Sequence, residues 1–179
     1  RLARAIMTTD TRPKEVAVSF DVEGKSVTIG GIVKGAGMIH PNMATMLCYL
    51  TTDARVEPAF LQAALKKAVD ASLNMLSVDG DTSTNDTVLL FSNGGADAPE
   101  ITPGGSGDLF QEALNQVCVY LTKELARDSE GATKLIEVLV DGAATVEDAQ
   151  MAAKTVVSSS LVKTAVHGSD PNWGRVIAA

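Results

Sequence analysis

Aromatic side chains are scarce in this chain: one Trp, two Tyr and four Phe among 179 residues, or 4%. Its core must therefore be built from Ala, Val, Leu, Ile and Met. Cysteine is nearly absent, with only Cys48 and Cys118, both in apolar patterns. Buried reduced thiols are the preferred reading over a disulfide, and they fit a reducing, cytoplasmic compartment. Positive charge is in deficit. Fifteen Lys and Arg face twenty-two Asp and Glu, for a net charge of −7, which argues against nucleic acid or an anionic membrane as the main partner. No run is long and apolar enough to span a bilayer. The two histidines, His40 and His167, belong to no metal-ligand spacing, and nothing resembles a zinc site. A Gly-x-Ser-x-Gly elbow is missing, so a Ser-His-Asp hydrolase has no support.

What is present is 45% hydrophobic, enough for one domain with a real core over 1–179. The chain opens at Arg1 and stops within the apolar run Val176-Ile177-Ala178-Ala179. Both ends are expected to be cut from something longer, so the lack of a targeting peptide carries no information. Glu15 to Val22 alternates as a half-buried strand does. Glu23-Gly24 signals a turn, and Ser26 to Val33 is a second strand, together a hairpin. Thr45 to Thr51 is expected to be a short buried strand. Pro58 opens a helix whose apolar positions run from Phe60 to Leu73. Val88 to Phe91 is predicted as a strand, Asn93 to Gly107 as a loop, Leu109 to Leu125 as a helix and Lys134 to Val140 as a strand. Thr145 with Asp148 resembles a capping box opening a further helix, and Leu161 to Val166 is predicted as a last strand. Strands first, then alternating helix and strand, predict a layered α/β domain with a mixed sheet.

The most informative stretch is Lys34-Gly35-Ala36-Gly37-Met38-Ile39-His40-Pro41-Asn42-Met43-Ala44-Thr45. Its glycines allow backbone to approach a ligand closely. Thr45 has two readings. It is either a β-former starting a buried strand or a nucleophile at a loop-to-strand edge, whose own freed amine can act as base after self-cleavage. The motif is not a P-loop: Gly30 and Gly35 have the right separation, but Ala36 stands where Lys is required. Asp79 to Thr87 looks like a calcium loop and fails, with Thr84 at the sixth position and Leu90 at the twelfth. A polar turn network, in which Asp and Asn bond their own backbone, is the preferred reading there. Arg127 to Lys134 is either a solvated connection or a loop whose carboxylate holds a substrate ammonium. Gly168 to Arg175, with the only Trp, is predicted as a structural turn.

Four blocks, Lys34 to Leu47, Ser77 to Thr87, Arg127 to Lys134 and Gly168 to Arg175, together resemble the ornithine acetyltransferase (glutamate N-acetyltransferase) family of arginine biosynthesis. Met7-Thr8-Thr9-Asp10 also resembles the family segment ahead of the first hairpin. The resemblance implies a precursor that cuts itself between Ala44 and Thr45. Residues 1–44 then end an α subunit, and 45–179 begin a β subunit with Thr45 as catalytic nucleophile. Lys34, Thr45 and Glu130 match family substrate-binding positions. The implied fold is a layered α/β/β/α sandwich with mixed sheets, similar to N-terminal-nucleophile hydrolases but wired differently. The implied reaction moves acetyl from N-acetylornithine to glutamate by a ping-pong cycle through an acetyl-threonine. It needs no cofactor and no metal, with acetyl-CoA as a possible co-substrate, and the pieces assemble as α2β2. Family chains are longer at both ends, and the implied oxyanion-hole Thr-Gly pair and the C-terminal substrate contacts lie outside this segment. Two rivals stay open: a self-processed aminopeptidase or amidase of similar layering, and a non-catalytic module whose glycine loop binds a small anion.

Overall fold

A computed structural model describes residues 1–40, 46–81 and 83–179. Among the described residues, four strands form one mixed sheet in the order β1-β2-β3-β4. β1 (Lys14–Val22) and β2 (Lys25–Lys34) are the expected hairpin, with Val22 opposite Lys25. The two turn residues, Glu23 and Gly24, have φ of 51° and 83°. Positive φ at both positions is what a two-residue turn needs to match the twist of its strands. β2 pairs antiparallel with β3 (Leu47–Thr52), and β3 pairs parallel with β4 (Thr87–Ser92). The parallel step is bridged by α2 (Pro58–Asp70) and a 3-10 turn at Leu73–Met75, as a crossover requires.

One face of this sheet carries the core. Val27, Ile29, Val33, Cys48 and Leu50 point into it, and α3 (Gly105–Arg127) lies across them with Phe110, Leu114, Val117, Cys118, Leu121 and Leu125, all buried. Gly31 sits where the helix crosses. A Cβ there would come within 2.7–2.9 Å of Leu50, Leu121 and Val117, so only glycine admits so close an approach. Phe110 gathers the few aromatics, with ring centroids 6.3 Å from Phe20 and 6.2 Å from Phe60. Cys48 and Cys118 are free and buried. Burial pushes both thiols up, Cys118 to about 12. The other sheet face places Ile32, Tyr49 and Leu89 in one cross-strand row, with Phe91 one step along. Leu89 and Phe91 are exposed there.

Glu57 caps α2 by accepting from the Phe60 N–H, with Pro58 in the first turn. Thr145 caps α4 (Val146–Ser158) by accepting from the Asp148 N–H at 3.0 Å. Two expectations fail. Leu161 to Val166 is not a strand but lies within a helix, α5 (Ser160–His167). Ser159 caps its start, and the Lys134 ammonium donates to the Val166 and His167 carbonyls at its end. Terminal capping outweighs the β-branched content of Val162 and Val166. Lys134 to Val140 also forms no strand. It has no ladder partner among the described residues, and Leu139 is 92% exposed. Two boundaries move: α3 begins at Gly105, inside the expected loop, and β3 begins at Leu47. The turn expected over Gly168 to Arg175 forms at Gly168 and Ser169, with Ser169 at φ 56°, but its end from Trp173 belongs to a short helix, α6 (Trp173–Ala178), whose Trp173 is exposed rather than structural. No described helix is long and apolar enough to cross a membrane. A short N-terminal helix, α1 (Leu2–Ala5), completes the order.

Candidate functional site

Lys34 ends β2. Strand register sets it opposite Leu47, at the mouth of the glycine stretch. Its side chain is buried, and its Nζ donates to Thr8 Oγ1 at 3.0 Å. The chain then turns over residues 35–37. Glu130 meets that turn from the other direction: its N–H donates to the Ala36 carbonyl at 2.8 Å. Its carboxylate stands so close to Gly37 that a Cβ there would lie 3.2 Å from Oε2. The absent side chain at Gly37 makes room for the carboxylate. Glu130 itself is exposed. Two of the expected substrate contacts, far apart in sequence, thus border the same three-residue turn. Thr45 and Ala44, the expected nucleophile and cleavage site, lie outside the described residues.

The stretch Asp79 to Thr87, apart from Thr82, departs from the expected self-contained turn. Asp81 does donate its N–H to Asp79, and Asn85 donates to Ser83 Oγ. The two end carboxylates, however, reach across the chain. Asp79 accepts from the Met38 N–H at 2.6 Å and the Ile39 N–H at 3.0 Å. These bonds hold Met38 at φ 55°, a conformation that L residues with side chains adopt at a cost. Asp86 accepts from the Met46 N–H at 2.7 Å. The backbone repeats the arrangement: Val78 N–H donates to the Ile39 carbonyl and Thr87 N–H to the Met46 carbonyl. His40 Nδ1 and Ser77 Oγ are 2.9 Å apart. One segment therefore grips both flanks of residues 41–45. Burial pushes the Asp86 carboxyl up to about 6, against the Met46 N–H and the neighbouring Lys34 charge. Strand register puts the two near each other: Lys34 lies opposite Leu47, and Leu47 opposite Thr87, the residue after Asp86.

A cavity of about 410 Å³ opens beside Glu130, between the end of α3, the 75–78 segment and α5. Lys163 on its wall donates to the Val78 carbonyl at 2.7 Å. Burial pulls the Lys163 ammonium below its usual value, with Asp79 opposing the shift.

Several residues here were not expected. Thr8 stands out in the sequence only as part of the Met7–Asp10 segment, yet its hydroxyl touches Lys34. Asp10, Lys14 and Asp128 form a buried ion triad beside the same turn. One signal in the sequence points to Lys14: it precedes Val16 by two, so it shares the inward phase of β1. A lysine at an inward position demands buried carboxylate partners.

The ArgJ family model matches residues 1–179. The chain is 59% identical over 178 residues to the arginine biosynthesis bifunctional protein ArgJ of Dehalococcoides mccartyi, covering 99% of this chain and 44% of that protein. It is 56% identical over 181 residues to a glutamate N-acetyltransferase of Methanocaldococcus jannaschii, with 99% and 44% covered. A crystal structure of arginine biosynthesis bifunctional protein argJ from Bacillus halodurans superposes with a TM-score of 0.71 at 48% identity, over 73% of this chain and 62% of that one. The chain thus spans less than half the length of both curated relatives.

Proposed function

The chain belongs to the ArgJ family, and on that premise we propose that it carries the nucleophile and part of the substrate site of an acetyltransferase of arginine biosynthesis, moving acetyl from N-acetylornithine to glutamate. The observation that carries this reading is the meeting of Lys34 and Glu130 at the 35–37 turn, a cation and a carboxylate on one short stretch of backbone. An amino-acid substrate carries the opposite pair. Lys34 binds its α-carboxylate, and Glu130 binds an ammonium group. Glutamate, the acceptor, and N-acetylornithine, the donor, each present both charges.

Thr45 does the chemistry. In the precursor its hydroxyl attacks the Ala44 carbonyl. The peptide C–N bond breaks as the Thr45 amine leaves, and water hydrolyses the resulting ester. Segments 1–44 and 45–179 result. The freed α-amine has a reference pKa of about 7.7–8.0, so a useful fraction is neutral near physiological pH. It takes the hydroxyl proton as Oγ attacks the acetyl carbonyl of N-acetylornithine. Ornithine leaves with that proton, and an acetyl ester remains on Thr45. The glutamate amine then attacks the ester, the C–Oγ bond breaks, and Thr45 regains its hydrogen. Donors aimed at the oxyanion are worth about 3–4 kcal/mol each in such reactions. The family pair for this role lies outside the segment. Acetyl-CoA enters as a second acetyl donor in a bifunctional enzyme.

The layered α/β/β/α arrangement is supported by the apolar row Ile32, Tyr49 and Leu89 on the outer sheet face, which a second sheet would cover. The two pieces pair as α2β2 in the cytoplasm.

Intact-mass spectrometry and a transfer assay test the reading on a full-length family chain carrying this sequence. We expect scission between Ala44 and Thr45, an uncut Thr45→Ala protein, and acetyl appearing on glutamate. Acetate released at the same rate with and without glutamate would instead indicate a hydrolase. An uncut wild type with full transfer activity would overturn the reading.

A further inference from the structure

Lys14 is a fully buried lysine between two buried carboxylates. Its Nζ donates to Asp10 Oδ1 at 2.7 Å and to Asp128 Oδ2 on the other side. The side chains of Lys14 and Asp10 are 0% exposed and that of Asp128 is 3% exposed. Two carboxylates against one ammonium leave an excess negative charge underground, which is costly unless further donors meet it. Those donors are particular. Asp10 Oδ1 also accepts from the Gly35 N–H at 2.7 Å, and its Oδ2 accepts from the Thr8 N–H at 3.1 Å. Gly35 follows Lys34 directly, and Thr8 is the residue whose hydroxyl receives the Lys34 ammonium. Asp128 accepts from both the N–H and the hydroxyl of Thr11. It ends α3 two residues before Glu130.

Burial pushes both carboxyls up, and the donors more than reverse it. The Gly35 N–H, Lys14 and the Thr8 N–H hold Asp10 below the usual carboxylate value. Lys14 and Thr11 do the same for Asp128. Both are therefore ionised throughout the neutral range. A buried ion group of this kind adds little to stability over an apolar core of equal volume. Its distinguishing property is geometric. From one lysine it reaches the 8–11 loop, the end of β2 and the end of α3.

We propose that the Asp10–Lys14–Asp128 triad is a positioning element that sets Lys34 and Glu130 in register to receive the two charged ends of the amino-acid substrate. The proposal rests on the substrate reading of those two residues. Asp10 works through Gly35 and Thr8 on Lys34. Asp128 works through the end of α3 on Glu130. None of the three touches substrate.

The test is a double-mutant cycle in a full-length family chain carrying this sequence, with Asp10→Asn, Lys34→Ala and the pair, reading KM and kcat for N-acetylornithine together with melting temperature. Asp10→Asn keeps an acceptor for Gly35 and removes the charge. It is expected to raise KM about tenfold with kcat changed far less, the scale of a weakened charged hydrogen bond. In the Lys34→Ala background it is expected to do nothing more, because its target is gone. Independent effects that multiply in the pair, or a lowered melting temperature with KM within twofold of wild type, would make the triad a fold element only and overturn the proposal. A silent Lys34→Ala would sink the substrate reading of Lys34 itself, and the proposal with it. If Asp10→Asn yields no folded protein, the same cycle with Asp128→Asn and Glu130→Gln decides through the other arm. Coupled effects there support the triad, and multiplying effects overturn it.

Discussion

The helices of residues 1–127 and those of residues 128–179 end in opposite states of burial. In the first region α3 alone buries Phe110, Leu114, Val117, Cys118, Leu121 and Leu125 against the sheet. In the second, α4 and α6 bury nothing, and α5 buries only Val162 and Ala165. Both regions nonetheless contain well-capped helices: Glu57 opens α2, Thr145 opens α4, Ser159 opens α5 and Asn172 opens α6. The contrast separates two things that tend to be run together. A cap and a good local sequence place a helix. Burial of its apolar stripe depends on a partner surface, which a local pattern does not specify.

The largest effect that bears on this contrast is a core truncation set against a peripheral one. Leu121→Ala removes a fully buried side chain packed over Gly31 and is expected to cost about 2–5 kcal/mol. Leu139→Ala, at a side chain 92% exposed, is expected to cost under about 0.5 kcal/mol. Urea unfolding of the two variants measures the difference, and equal losses would erase the distinction between the regions. Gly31→Ala comes next. Its added methyl would meet three packed side chains at 2.7–2.9 Å, which predicts a loss of about 1–3 kcal/mol by overpacking. The same change at Gly142, where φ is 75° and an added Cβ would meet nothing within 4 Å beyond its chain neighbours, tests backbone strain without crowding and is expected to cost about 1 kcal/mol.

The same contrast explains what could be read from the sequence. The β1–β2 hairpin was legible because alternation and a Glu-Gly turn are local, and so was α2, from Pro58 and its spacing. Lys134 to Val140 was misread as a strand because β-branched content reports a preference, while a strand needs a neighbour. Leu161 to Val166 was misread because the Ser158-Ser159-Ser160 run hides a cap, and because the Lys134 ammonium that closes α5 comes from far away in the chain. At the site, only the resemblance singles out Lys34 and Glu130; their meeting at one turn, across some ninety-six residues of chain, is a property of the fold. Asp79 and Asp86 fit a local turn network by sequence, because a side chain gripping backbone some forty residues away leaves no periodic trace. Lys14 was legible in principle, as a charge in the inward phase of β1.

Asp86 offers a sharper test, by pH. Its carboxyl is raised from 3.8 to about 6. Between roughly pH 4 and 6 the folded state therefore binds more protons than the unfolded one, and this group's contribution to stability falls as pH rises through that window. Asp86→Asn keeps an acceptor for the Met46 N–H and removes the cost of a half-buried charge. After discounting for solvent, the gain at pH 7.5 is on the order of 1 kcal/mol, which raises the melting temperature by about 2–4 °C. At pH 3, below both values, the variant and wild type should melt together. A gain that persists undiminished at pH 3 would mean that the carboxyl is not the titrating group.

The smallest effect falls in the peripheral region. Thr145→Ala removes the one side-chain bond at the start of α4, a loss of about 1 kcal/mol for the helix. Because α4 buries no side chain, that loss has no route into the core. It should therefore appear as local opening, with amide exchange about five times faster over residues 146–149, and leave the global unfolding midpoint in place. The equivalent Glu57→Ala change at α2 provides the control. α2 buries Ala64 and Ala68 against the rest of the core, so the loss of its cap should move the global midpoint. If Thr145→Ala moved that midpoint as far as Glu57→Ala, α4 would be energetically coupled to the sheet, and residues 128–179 would have to be counted as part of one cooperative unit despite their exposure.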